Sequence, residues 1–210
     1  MAKTSLESIL KLATVIPVLV IEDVADALPL ARALVKAGLP VLEITLRTGK
    51  ALDCIRAIMS DVEGAVVGAG TVLNADQLEE VAGLDCAFAV SPGATPALLD
   101  AAAESPVPLL PGAATASEAM LLLERGYRVQ KFFPAEPAGG VSYLSALASP
   151  LPQIRFCPTG SISPGTASAY LALPNVIAIG GSWMVPRKIL AARDWASVEL
   201  LSREAAQLKR

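Results

Sequence analysis

One lysine and one glutamate stand in apolar, strand-like surroundings where charged residues are rarely tolerated. Lys131 interrupts the run RVQKFFPAEP between Val129 and Phe132-Phe133, and Glu43 sits in GLPVLEITLRT among valine, leucine and isoleucine. A buried charge without a partner is costly, so two such residues from different strands are expected to meet. The chain has no histidine. That removes the commonest general base and every Ser-His or Cys-His nucleophile pair, leaving Lys, Glu, Asp, Arg, Tyr and Cys for any chemistry. Burial disfavours the charged form of an amine, and a neutral amine adds to the carbonyl of a ketone or aldehyde to form an imine. An ionised carboxylate nearby opposes that effect, so such a pair titrates together. The alternatives for Lys131 are that its stem snorkels to the rim and solvates the ammonium, or that Lys131 and Glu43 form a purely structural ion pair.

The elements that must position these residues follow from the pattern around them. Eight short apolar runs read as strands: IPVLVI (16–21), VLEITL (41–46), AVVGAG (65–70), CAFAV (86–90), VPLLP (107–111), RVQKFF (128–133), IRFCP (154–158) and VIAIGG (176–181). Between them lie helix-length amphipathic stretches such as DVADALPLARALVKAG, NADQLEEVAGL and TASEAMLLLERG, which begin on capping residues and often end on glycine. Landmarks at the run ends, namely Arg47, Thr71, Ser91, Pro111, Lys131, Thr159 and Ser182, recur at intervals of 24, 20, 20, 20, 28 and 23 residues. That is the rhythm of a repeated βα unit. It predicts an α/β fold, a (β/α)8 TIM barrel forming a single domain over residues 1–210, with an extra N-terminal helix and a C-terminal helix near 194–208. A doubly wound open sheet is the alternative, but the first strand lacks the glycine-rich dinucleotide turn that usually accompanies it.

In a barrel of this kind the C-terminal strand ends carry the active site. Alternation in VLEITLR puts Val41, Glu43, Thr45 and Arg47 on one face and Leu42, Ile44 and Leu46 on the other. The aliphatic face must cover helices, so Glu43 and Arg47 are expected to face the interior. For RVQKFF alternation pairs Lys131 with Val129 and Phe133 but does not choose the side. The last two strand ends run into PTGSISPG (158–165) and IGGSWMVP (179–186). Small residues there expose backbone N–H groups in the two loops where barrels commonly bind phosphate.

Several classes are disfavoured. A net charge of −3 from 17 basic and 20 acidic residues offers no basic stripe for nucleic acid. No apolar run approaches the roughly 18 residues of a membrane span, and LATVIPVLVI reads as helix then strand, not as a signal segment. Three scattered cysteines, Cys54, Cys86 and Cys157, suggest neither a disulfide framework nor a zinc site and fit a reducing cytoplasm. Cys157 reads as a small core residue, Trp183 as a packing residue, and Asp194-Trp195 as cap and anchor of the last helix.

Taken in order along the chain, GLPVLEITLRT, GAGTVL, SPG, KFFPAE, FCPTGSIS and IGGSWMV resemble the bacterial 2-keto-3-deoxy-6-phosphogluconate (KDPG) and 4-hydroxy-2-oxoglutarate (KHG) aldolases. The resemblance implies a metal-independent class I aldolase without cofactor, a trimeric barrel of the Entner–Doudoroff pathway. Its reaction cleaves the phosphorylated keto-acid to pyruvate and glyceraldehyde 3-phosphate. It further implies Lys131 as Schiff-base lysine, Glu43 as general acid/base, and Arg47 and Thr71 at the pyruvate carboxylate. Pro92, Phe133 and Thr159 would line the pocket, and Gly160, Ser161, Gly181 and Ser182 would bind phosphate. One position departs: the family usually has a second glycine where this chain has Ser161. The rival activities are KHG cleavage and oxaloacetate decarboxylation, which share a pyruvate-like enamine, and a non-catalytic barrel that binds a phosphorylated metabolite.

Overall fold

The structure, a computed structural model, describes residues 5–209. Strands and helices alternate along the chain, and all the strand pairings are parallel. A short helix α1 (Leu6–Leu10) precedes β1 (Val15–Leu19); then come α2 (Val24–Lys36), β2 (Val41–Thr45), α3 (Ala51–Asp61), β3 (Val66–Gly70), α4 (Ala75–Gly83), β4 (Phe88–Val90) and α5 (Pro96–Glu104). The chain continues through β5 (Leu109–Leu110), β6 (Gly112–Ala113), α6 (Ala116–Glu124), β7 (Val129–Phe132), α7 (Gly140–Leu147), β8 (Arg155–Pro158), α8 (Pro164–Leu171), β9 (Ile179–Gly181), α9 (Arg187–Ala191) and α10 (Trp195–Ala206).

The helix starts follow the capping residues in the sequence. Asp23, Asn74 and Thr95 accept backbone N–H bonds at the heads of α2, α4 and α5, and Thr115 with Glu118 forms a capping box on α6. Asp194 Oδ1 accepts from the Ser197 N–H at 3.0 Å, so the last helix begins where the Asp-Trp pair predicts.

The strand ladders differ from eight continuous strands in one sheet. They form a six-stranded sheet in the order β5-β4-β3-β2-β1-β9 and a three-stranded sheet in the order β6-β7-β8. The fifth run, expected to stop at Pro111, continues past it: Pro111, which has no N–H to donate, divides it into β5 and β6. The Pro111 carbonyl still accepts from the Lys131 N–H at 2.8 Å, so the polypeptide passes from one sheet into the other at this residue. At the far side, β8 meets the segment entering β9 through the isolated bridges Phe156↔Val176 and Thr159↔Gly180. The result is an α/β fold whose parallel sheets curl around a common interior.

Two packed layers explain the curl. Outward residues such as Leu19, Leu42, Ile44, Val67, Ala89, Phe132 and Phe156 join one large apolar cluster with the helices. Inward residues Ile16, Val41, Phe88, Val90, Leu110, Cys157 and Ala178 form a second cluster with Ile9 and Leu10 of α1. The N-terminal helix therefore stoppers the end of the interior at which the strands begin. Across the strands the inner face alternates large and small: Glu43 is level with Gly68, and Gly68 with Phe88. A β-carbon on Gly68 would stand 2.5 Å from both Cε atoms of Phe88 and closer still to Cζ, so glycine is what lets that ring fill the interior.

Candidate active site

Lys131 lies on the inner face. The residues on either side of it decide this: the Gln130 amide donates outward to the carbonyls of Ala119 (3.0 Å) and Tyr127 (2.9 Å), while Phe132 stacks on Tyr143 of α7 with ring centroids 5.9 Å apart. With both neighbours tied to the helix layer, alternation turns Lys131 inward, level with Gly112 and Cys157. Its ammonium, 4% exposed as a residue, reaches Glu43 Oε1 at 3.2 Å and lies 5.2 Å from the centre of the Phe133 ring. Glu43 is 3% exposed. The two charges that looked misplaced in the sequence thus form one buried pair.

The backbone around this pair is shaped to admit it. A β-carbon on Gly70 would stand 2.6 Å from Glu43 Cγ, and one on Gly112 would stand 2.8 Å from the Gly93 nitrogen. Glycine at 112 lets the Ser-Pro-Gly turn, with Pro92, come down onto the strand beside Lys131. Likewise Gly180 gives way to the buried Thr159, whose Cγ2 would lie 2.9 Å from a β-carbon there and whose Oγ1 would lie closer still. Gly70, Gly112 and Gly180 are the site residues that sequence reasoning missed. The sequence marks Gly70 and Gly180 only as members of glycine-containing run ends.

Arg47 lies two residues beyond the end of β2 and is exposed, so alternation describes Glu43 better than it describes Arg47. Its Nε–H donates to Thr71 Oγ1 at 3.1 Å, which fixes the guanidinium plane and leaves both terminal nitrogens free of protein partners among the described residues. Thr71 holds a left-handed φ of 61°, uncommon for a β-branched residue and costing on the order of 1–3 kcal/mol. Phe133 and Pro92 are half-buried at the same end of the strands.

The two glycine-containing turns sit beside each other through the Thr159↔Gly180 bridge. Gly160 (φ 116°) and Ser161 (φ 59°) are both left-handed, and Ser161 is exposed. In the second turn the Trp183 ring packs against Gly181, where a β-carbon would meet its Cη2 at 2.8 Å, and Ser182 is exposed. Trp183 therefore packs, as expected. Cys157 is buried on the inner face, and burial pushes its thiol up to about 12. It is a core residue.

The family described as KDPG and KHG aldolase matches residues 6–201. The chain belongs to that family. Among curated relatives of this aldolase, the KHG/KDPG aldolase of Escherichia coli K12 is 53% identical over 205 residues, covering 98% of this chain and 96% of that protein. The 2-dehydro-3-deoxy-phosphogluconate aldolase of Zymomonas mobilis is 50% identical over 205 residues, covering 98% and 97%. The crystal structure of the Legionella pneumophila KDPG aldolase, with pyruvate captured at low pH as a covalent carbinolamine, superposes with a TM-score of 0.95 at 41% identity, covering 98% of this chain and all of that one. A Zymomonas mobilis KDPG aldolase structure with 3-phosphoglycerate gives 0.94 at 50% identity, covering 100% and 98%.

Proposed function

We propose that this aldolase cleaves 2-keto-3-deoxy-6-phosphogluconate to pyruvate and glyceraldehyde 3-phosphate through an imine on Lys131. The buried Lys131–Glu43 pair at 3.2 Å carries the reading, because it joins an amine nucleophile and a proton-transfer group inside an apolar interior. A carbinolamine, the species named for the Legionella relative, is the first adduct of an amine and a ketone. In this chain Lys131 is the amine.

Lys131 passes a proton to Glu43 and, as the free amine, forms a bond from Nζ to the C2 carbonyl carbon; a proton then moves from that nitrogen to the resulting alkoxide. Glu43 then supplies a proton to the carbinolamine hydroxyl, which leaves as water as the iminium forms. Glu43, now a carboxylate, takes the proton of the C4 hydroxyl; the C3–C4 bond breaks and its electron pair flows into the iminium, giving an enamine. Glyceraldehyde 3-phosphate departs. Protonation of the enamine carbon and addition of water release pyruvate and return the free amine. Arg47, its Nε held by Thr71, presents its terminal nitrogens to the substrate carboxylate as a fork, which a lysine could not do. Phe133, Pro92 and Thr159 line the pocket, and the Gly160–Ser161 and Gly181–Ser182 turns take the phosphate end. The strand ring is proposed to close as a full (β/α)8 barrel through the Pro111 crossing and the two isolated bridges. The family resemblance further implies a cytoplasmic homotrimer.

A second reading, KHG cleavage, is favoured by one feature: Ser161 occupies the phosphate turn in a left-handed conformation that suits glycine better. Steady-state comparison of the two aldols separates the readings. A kcat/KM at least tenfold higher for the phosphorylated substrate supports the proposal, and equal values would assign the chain to KHG cleavage.

A further inference from the structure

Glu136, the last residue of the KFFPAE run, takes no part in the steps above, yet it joins three pieces of the site. Its N–H donates to the Gly160 carbonyl at 3.2 Å, beside the Ala135 N–H that donates to Thr159 O at 2.9 Å. The loop after the lysine strand and the phosphate turn are thereby zipped together. They press closely: a β-carbon on Gly160 would lie 3.1 Å from both the Ala135 nitrogen and Pro134 Cα.

The side chain of Glu136 makes a third connection. Tyr170, on the second turn of α8, is fully buried at 0% exposure, and its hydroxyl has no partner at full hydrogen-bond geometry among the described residues. The Glu136 carboxylate is the charged group that lies beside it, across Gly140. Both groups flank Gly140 (φ 62°): the position of a β-carbon there is 3.5 Å from the phenol oxygen and 3.7 Å from Glu136 Oε2. Burial, and then the Glu136 carboxylate, push the phenol far above its usual range, so Tyr170 keeps its proton and can donate it to a bond with that carboxylate. A buried hydroxyl needs such a partner, and a contact looser than a formed hydrogen bond has room to tighten. Because α8 begins three residues after Ser161, a tether from Tyr170 to the loop closes a circuit around the turn.

We propose that Glu136 and Tyr170 are positioning residues that set the geometry of the Gly160–Ser161 turn, and through it the affinity for the phosphate end of the substrate. This rests on the aldolase reading above. It separates two functions within one site: imine formation depends on Lys131 and Glu43, whereas phosphate recognition depends on the tether.

The test uses Tyr170→Phe, Glu136→Gln and Glu136→Ala, with Tyr170→Phe keeping the ring that fills the core. Each is assayed for KM and kcat on the phosphorylated aldol and on 4-hydroxy-2-oxoglutarate, and for the rate of pyruvate trapping by borohydride. If the contact tightens into one net hydrogen bond when the turn holds phosphate, its removal should raise KM for the phosphorylated aldol about five-fold in Tyr170→Phe and Glu136→Ala. The kcat, the unphosphorylated KM and the trapping rate should stay at wild-type values, Glu136→Gln should recover part of the loss, and the double variant should be no worse than either single one. Unchanged KM, equal losses on both aldols, or additive losses in the double variant would each overturn the assignment. A wild type that cleaves neither aldol would overturn the aldolase reading itself, and this inference with it.

Discussion

The α-carbon of Gly70 forms the surface against which the Glu43 side chain lies: a β-carbon there would stand 2.6 Å from Cγ and 2.9 Å from Cδ of the glutamate. Glu43 is level with Gly68 on the neighbouring strand and Gly70 with Thr45, so the carboxylate leans over the next inward position to reach Lys131. Gly70→Ala should displace the carboxylate while leaving the strand hydrogen bonds intact. We expect kcat to fall by about 100-fold, the scale of one misplaced general acid/base, with the circular dichroism spectrum unchanged. A wild-type kcat in a folded Gly70→Ala protein would show that Glu43 needs no such space.

Ser161 makes the opposite case, a side chain where glycine would sit more easily. Its φ of 59° costs about 1 kcal/mol that a glycine would not incur, partly offset by glycine's larger unfolded-state entropy. Ser161→Gly should leave thermal stability within about 1 kcal/mol of wild type and lower KM for the phosphorylated aldol, while KM for 4-hydroxy-2-oxoglutarate stays the same. If KM for the phosphorylated aldol rises instead, the serine hydroxyl is itself a phosphate ligand and the turn is adapted to it.

The strands were legible because a half-buried βα repeat writes itself twice, as apolar runs and as a spacing of landmarks. Glu43 was legible for the same reason: Leu42 and Ile44 on its two sides can only face helices. The side chosen by Lys131 was not, since Phe132 is equally at home inward or outward until Tyr143 and Phe156 are seen beside it. Nor were the functions of Gly70, Gly112 and Gly180. A glycine required by a neighbouring strand looks, in one dimension, like a glycine required by a turn. Pro111 was visible but read as the end of a strand; only the ladder shows it dividing one run into β5 and β6 and handing its carbonyl to Lys131.

The buried thiols should give the stability of the fold an alkaline limb. Burial pushes Cys157 up to about 12 and Cys86 up to about 11, against an ordinary value of 9.0. Below pH 9 both states hold these protons, so the thiols have no effect on the pH dependence. Above it the unfolded chain releases them while the folded chain does not, so stability falls as pH rises toward 11, by about 1.4 kcal/mol per pH unit for each thiol. Urea midpoints measured from pH 7 to 10.5 should show that slope in wild type and a flatter one in Cys86→Ala/Cys157→Ala. A double variant with the wild-type slope would assign the alkaline limb to other groups.

The whole proposed reaction turns on Lys131 as the nucleophile. Incubation with pyruvate and borohydride, followed by intact-mass measurement and peptide mapping, reads this directly. One reduced pyruvyl adduct per chain is expected, mapping to Lys131 and absent in Lys131→Met. An unmodified mass, or an adduct on any other lysine, would contradict it.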